Sequence, residues 1–164
     1  EEPNDYIHFI LINNNKKILP TFKSRCLNFK IKLLSSQSFL ITNQILNDNF
    51  MNLINKDLIN NYSTPGKILN LLNFANLNDI DLKEINLKEL IKKVIMEKKY
   101  KKDPSIKHLL YSLIEVYFRK NISINNIKLI NLHNYFVKKI NNTKIFNLDD
   151  ETLLMEFDER VLDG

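Results

Sequence analysis

The chain has 164 residues, 44% hydrophobic and 26% charged, with a formal net charge of +5. That length suits one or two small domains, and only two glycines and four prolines argue against a turn-rich β fold and for helices. One cysteine excludes an internal disulfide and fits a reducing cytoplasm, and no apolar run approaches the roughly 20 residues of a membrane span.

Asn, Ile and Lys are over-used at the expense of Ala, Gly and Arg, as mutational bias toward A and T would produce. A Lys excess of that origin makes the positive charge a weak pointer to nucleic acid. No signal peptide is visible. The chain opens Glu1-Glu2-Pro3 without Met, so it is expected to be the C-terminal part of a longer protein.

In chain order, Ile7–Ile12 is a continuous apolar, β-branched run of the kind a strand covered on both faces requires. Asn13-Asn14-Asn15 ends it with turn-tolerant residues. Pro20 can open a short helix at its first position, where the missing N–H does no harm, and that helix ends near Cys26. Leu27–Leu33 then alternates apolar and polar, as a half-exposed strand does. Strand, short helix, strand reads as the edge of an α/β domain over residues 1–34.

From Ser35 the hydrophobic period becomes helical. Phe39, Thr42, Ile45 and Leu46 form one stripe, and Phe50, Leu53, Ile54, Leu58 and Tyr62 a second. Ser63-Thr64-Pro65-Gly66 combines a hydroxyl cap with a first-turn proline, and Ile68, Leu71, Leu72 and Ala75 follow as a third stripe. Residues 35–80 are thus expected to be three short helices, with the polar stretch 76–86 as a linker.

Residues 81–164 read as a second helical domain of four or five helices. Leu87, Leu90, Ile91, Val94 and Ile95 share one face. Asp103-Pro104 is a cap followed by a first-turn proline, and it precedes the stripe Ile106, Leu109, Leu110, Leu113, Tyr117. Ser123 is expected to cap a helix carrying Ile127, Ile130, Leu132 and Phe136, and Asn141-Asn142-Thr143 to form a loop. The last helix starts near Asp149, with Leu153, Leu154, Phe157 and Val161 inward and acids in its first turn, where the helix dipole favours them.

The residues supply no complete active site. His8, His108 and His133 lie apart among apolar neighbours. There is no phosphate-binding glycine loop, no dinucleotide fingerprint and no metal-ligand cluster. Lys92, Lys93, Lys98, Lys99, Lys101 and Lys102 could touch a nucleic-acid backbone, but with the composition bias a solvated helix face is the better explanation. Arg25 is different. It is one of three arginines, the others being Arg119 and Arg160, and it sits between a short helix and an edge strand. A surface ion pair is the plain reading. The functional one is a guanidinium projected from a domain rim, whose rigid fork of donors suits a phosphate.

Ile18-Leu19-Pro20-Thr21-Phe22-Lys23-Ser24-Arg25-Cys26, preceded by Glu1-Glu2-Pro3, an apolar strand and an Asn-rich turn, resembles the end of the AAA+ domain in bacterial clamp-loader subunits of DNA polymerase III. Ser63-Thr64-Pro65-Gly66-Lys67-Ile68-Leu69 is similar to the start of a lid helix in that family. The motifs cover about residues 1–33 and 62–70, and the layout covers the whole chain.

The resemblance implies a mostly α chain: the C-terminal edge of an α/β AAA+ domain (1–34), a three-helix lid (35–80) and an all-α collar for oligomerisation (81–164). It implies that Arg25 is an arginine finger acting in trans on ATP-Mg held by a neighbouring subunit, positioned by Ser24 and Cys26. Asn13 or Asn14 falls at the sensor-1 position. Lys67 stands where the family usually has the sensor-2 Arg, keeping the charge but losing the fork. This chain itself would bind no cofactor. Its partners would be the ATPase and delta subunits and, through the complex, a sliding clamp and primer–template DNA. A helical nucleic-acid-binding or adaptor protein, and the C-terminal part of a self-sufficient AAA+ ATPase, are the competing readings.

Overall fold

Sparse glycine and proline, good caps and helical periodicity produce seven α-helices among the described residues. The computed structural model describes residues 9–12, 18–29, 33–101, 103–123 and 126–163. Those residues are mostly helical and contain no strand. Among them no helix is long and apolar enough to cross a membrane. The chain divides into two units, Glu1–Lys32 and Leu33–Gly164.

The first unit carries α1, Pro20–Arg25, with Pro20 at its first position as expected. The helix starts from Leu19, whose carbonyl accepts from the N–H groups of Phe22 and Lys23. It buries none of its residues. Two strands were expected around it. Residues 9–12 and 27–29 have no regular structure, and Ile10, Ile12, Leu27 and Phe29 are exposed. A strand is held by the hydrogen bonds of a neighbour, and the described residues offer none. The rest of both expected strands, Ile7, His8 and 30–32, lies outside the described residues, as do Asn13 and Asn14.

The second unit contains α2 (Ser35–Leu46), α3 (Pro65–Leu77), α4 (Leu87–Met96), α5 (Pro104–Asn121), α6 (Ile127–Phe146) and α7 (Asp150–Phe157). A π-helical turn, Asp158–Leu162, extends α7. The caps follow the sequence chemistry. The Thr64 hydroxyl accepts from the Lys67 N–H at 3.4 Å, and Asp103 caps α5 by accepting from Ser105 at 2.7 Å. Asp149 caps α7 through the N–H groups of Glu151 and Thr152. Asn86 and Glu89 form a reciprocal capping box on α4.

The hydrophobic stripes become one core. The five expected residues of α4 are all buried, as are Ile68, Leu71, Leu72 and Ala75 of α3. Helix α5 packs against α3, α4 and α6, and α7 packs against α6. Where these helices meet, Phe157 sets its ring edge-on to Phe118 and Phe136, with centroids 5.7 and 5.3 Å away. Tyr117 joins the same cluster at 6.1 Å from Phe157. Each such pair adds about 0.5–1.5 kcal/mol beyond its buried area.

Four local expectations are corrected. Residues 50–62 form two 3₁₀ turns, Phe50–Asn52 and Lys56–Leu58, rather than an α-helix. The asparagines explain it: Asn43 accepts from the Phe50 N–H, Asn49 from Met51 and Asn55 from Asp57, so side chains take the donors a helix would use. The hydrophobic residues keep their role, since Phe50, Ile54 and Leu58 are buried. The stretch 76–86 is no free linker: α3 runs to Leu77, Leu82 is buried, and its carbonyl accepts from the Asn55 N–H at 2.7 Å. Helix α6 continues through 141–143, with Thr143 buried and its hydroxyl donating to the Lys139 carbonyl. Asn126, not Ser123, caps α6, accepting from the Leu129 N–H at 3.0 Å.

With so few glycines, left-handed backbone falls to other residues. Asn47 and Asn147 end α2 and α6 at φ of 52° and 50°, and Asp79 and Lys98 also have positive φ. Asn and Asp tolerate this region because their short side chains bond locally; Lys has no such help.

Candidate functional site

In the first unit, Ser24 and Arg25 close α1 and Cys26 follows it. The Ser24 hydroxyl donates to the Thr21 carbonyl at 3.0 Å, which ties down the last turn. Asn28 donates to the carbonyls of Lys23 and Cys26 at 3.3 and 3.2 Å, capping the helix end from the other side. Arg25 is exposed and has no carboxylate partner among the described residues. Cys26 is an exposed free thiol. The surface ion pair that would have explained Arg25 plainly is therefore not formed among the described residues. Lys67 belongs to the other unit, at the third position of α3, with its side chain exposed.

Four of the five described lysines of the Lys-rich segment are paired, sharing three carboxylates between them. Lys98 and Lys101 both pair with Glu151, Lys92 with Asp163 and Lys99 with Glu97. Their bonds hold the Glu151 carboxyl below its usual range and raise Lys92. These lysines bind the ends of α7 and its π-turn to α4 and the turn after it, a structural role. Lys102 lies outside the described residues. No cluster of three or more metal-ligating side chains occurs among the described residues.

Glu156 is the most strongly perturbed carboxylate. Burial pushes it up, but bonds from Lys139, Arg160 and Tyr135 outweigh that and bring it to about 2. A depressed folded-state value means stability present above the ordinary 4.5 and lost as pH falls toward 2. Melting temperature against pH should therefore show Glu156→Gln below the parent chain at pH 7, with the difference shrinking between pH 4.5 and 2. A difference that stayed constant across that window would show that the ionised carboxylate is not the group responsible.

Sequence reading left His108 and His133 isolated, but the fold brings them to one groove. It has a volume of about 500 Å³ and lies where α5 and α6 face each other beside the start of α3. Its apolar lining comes from Ile114, Phe118, Val137 and Ile140, and its basic side chains are Lys67, Arg119 and Lys144. The His133 ring stands edge-on to Phe118, with centroids 5.1 Å apart. The Lys144 Nζ lies 4.9 Å over the Tyr111 ring, whose hydroxyl donates to Asp150. Arg119 donates through Nε and Nη2 to Glu115, at 3.2 and 2.8 Å, and lies over the Tyr62 ring. A signal for this groove was present in the sequence: His108, Ser112, Glu115 and Arg119 recur at helical spacing on α5, next to the apolar stripe.

Comparison with protein families, with curated proteins and with solved structures finds no match for this chain.

Proposed function

We propose that the chain is a clamp-loader subunit of the delta-prime type of bacterial DNA polymerase III, supplying Arg25 in trans to a neighbouring ATPase subunit. The observation that carries this reading is the Ser24-Arg25-Cys26 run at the end of a short exposed helix, with its guanidinium free of carboxylates among the described residues. Guanidinium carries five donors in a rigid fork that suits an anion such as phosphate. In this reading residues 1–34 are the edge of the AAA+ domain, 35–80 the lid and 81–164 the collar. The exposed apolar side chains at 9–12 and 27–29 are in keeping with a unit that others cover.

Arg25 would place a fixed positive charge where the γ-phosphate of the neighbour's ATP gains negative charge as its bond to the leaving group breaks. Ser24 and Asn28 would set the direction of that side chain by fixing the last turn of α1. Lys67, at the sensor-2 position, carries a point charge without the fork. The nucleic-acid-binding alternative is weakened by the carboxylate pairs that occupy Lys92, Lys98, Lys99 and Lys101.

Mixed with the ATPase and delta subunits of a bacterial clamp loader, the chain should co-elute as one complex on size exclusion, and alone it should bind DNA only weakly. Tight DNA binding by the chain alone, falling steeply with salt, together with no retention of loader subunits, would refute the proposal.

A further inference from the structure

Helix α2 turns small polar side chains inward and apolar ones outward. Ser38 and Thr42 are its buried residues. The Ser38 hydroxyl donates to the Ser63 carbonyl, and the Thr42 hydroxyl to the Ser38 carbonyl, both at 2.8 Å. Rolling α2 about its axis would pull the buried Ser38 hydroxyl off its partner, so the orientation of the helix is fixed. Leu40 and Ile45 on the helix, and Leu33 and Leu34 just before it, are left 45–64% exposed. Ile45, expected on the inward stripe, is among them. At about 100° per residue, Leu40 and Ile45 share one side of α2 with Gln37, Ile41 and Gln44. No residue from Leu33 to Asn47 is charged, in a chain that is 26% charged.

We propose that this face of α2 docks against the same face of a second copy of the chain, the two helices running antiparallel about a twofold axis between Leu40 and Ile41. The inference does not rest on the role of Arg25. The register is self-complementary, as a twofold contact requires. Leu40 of each copy meets Ile41 of the other, Gln37 lies opposite Gln44 on both sides of the axis, and Leu34 falls near Ile45. Leu34, Gln37, Ile41 and Gln44 have the spacing of a paired-helix seam. The Gln37 Oε1 accepts from the Leu34 N–H at 3.0 Å, which leaves its Nε2 to donate to Gln44 across the axis. Asp48 is the first charge beyond the face, and no cation pairs with it among the described residues. The register sets it at the level of the other copy's first turn, the positive end of α2, which starts from Leu34 without a side-chain acceptor. A charged partner or a lipid surface fits less well. Each copy carries +5, and a face without Lys or Arg is where two such copies repel least. Helices that lie on membranes rim their apolar face with Lys and Arg, and α2 has neither. The contact is one helix pair about 18 Å long, well short of the roughly 1,600 Å² of a standard interface, so the dimer is weak and forms at high concentration.

The test is sedimentation equilibrium of the full chain from micromolar to near-millimolar concentration, where the parent should pass from monomer to dimer. Leu40 is 58% exposed, so Leu40→Glu sets like charges across the axis without opening the core and should weaken the dimer at least tenfold. Gln37→Lys combined with Gln44→Lys should abolish it, because each Lys then faces another. Gln37→Glu combined with Gln44→Lys should dimerise at least as tightly as the parent, because the antiparallel register sets each Glu against a Lys. Ile145→Glu, 72% exposed on α6, adds the same charge elsewhere and should dimerise as the parent does. A parent chain that stays monomeric throughout would overturn the proposal, as would a dimer that Leu40→Glu leaves intact or that Ile145→Glu weakens equally. Equal weakening by the two glutamine double variants would overturn it too, since it would deny the antiparallel register.

Discussion

Under the proposed clamp-loader reading, Arg25→Ala is expected to leave the chain folded and the loader assembled, while slowing ATP turnover at the one neighbouring site by roughly 10³-fold or more. The folding half of that statement follows from α1, which buries no residue and whose Arg25 makes no ion pair among the described residues. The rate half follows from the charge that gathers on a transferring phosphoryl group in a site from which water is excluded. Arg25→Lys should recover little, because an ammonium keeps the charge but not the planar fork. The measurement is ATP turnover in a reconstituted complex whose other ATPase sites are inactivated, so that background turnover cannot mask the loss. Unchanged turnover with intact assembly would sink the finger assignment, and lost assembly would instead place Arg25 in a subunit contact.

The largest stability effect is expected at Phe157. It is fully buried, on the last α-helix, and touches the rings of Tyr117, Phe118 and Phe136. Truncation to Ala removes its transfer free energy and leaves a cavity between three helices, at a cost of about 3–5 kcal/mol. Domains hold about 5–15 kcal/mol in total, so the melting temperature should fall on the order of 10 °C. Phe146→Ala is the matched control: its ring is 67% exposed near the end of α6, and its loss should be close to neutral in urea denaturation. Equal losses for the two would mean that Phe146 is covered in solution.

Helices with a clean apolar face and a hydroxyl or carboxylate cap were legible in the sequence. Helix α4 shows every one of its five expected residues buried, and Thr64-Pro65, Asp103-Pro104 and Asp149 mark true starts. What was not legible depended on competition between side chain and backbone. Phe50, Ile54 and Leu58 have helical spacing, yet Asn43, Asn49 and Asn55 bind the N–H groups there and turn the chain instead. The reverse occurred at Asn141-Asn142-Thr143, where turn-forming residues stay in helix because Ile140 and Thr143 are buried. The strand expectations around α1 rested on a continuous apolar run at 7–12 and on apolar–polar alternation at 27–33, patterns that give strands only where a neighbour pairs with them.

Ser24-Arg25-Cys26 stands out in the sequence because its residues are contiguous, and the role proposed for it rests on that resemblance. Only half of the groove between α5 and α6 has such a signal: His108, Ser112, Glu115 and Arg119 share a face of α5, whereas His133 and Lys144 join them from another helix. Only the antiparallel return of α6 along α5 brings them together, and no local pattern on either helix specifies that return.

The left-handed ends of α2 and α6 carry a further consequence. Where most chains relax such a position with glycine, this one places Asn47 and Asn147 there, both exposed, with the Asn147 N–H donating to the Thr143 carbonyl. Asparagine bears this conformation at less cost than other non-glycine residues, because its short side chain bonds locally. The same residues narrow the choices of the unfolded chain, since asparagine roams less than glycine does. Protection of the molecule against opening is therefore uneven. Within the second unit, the last turns of α2 and α6 should exchange their amide hydrogens sooner than the interior of α4, with its five buried residues.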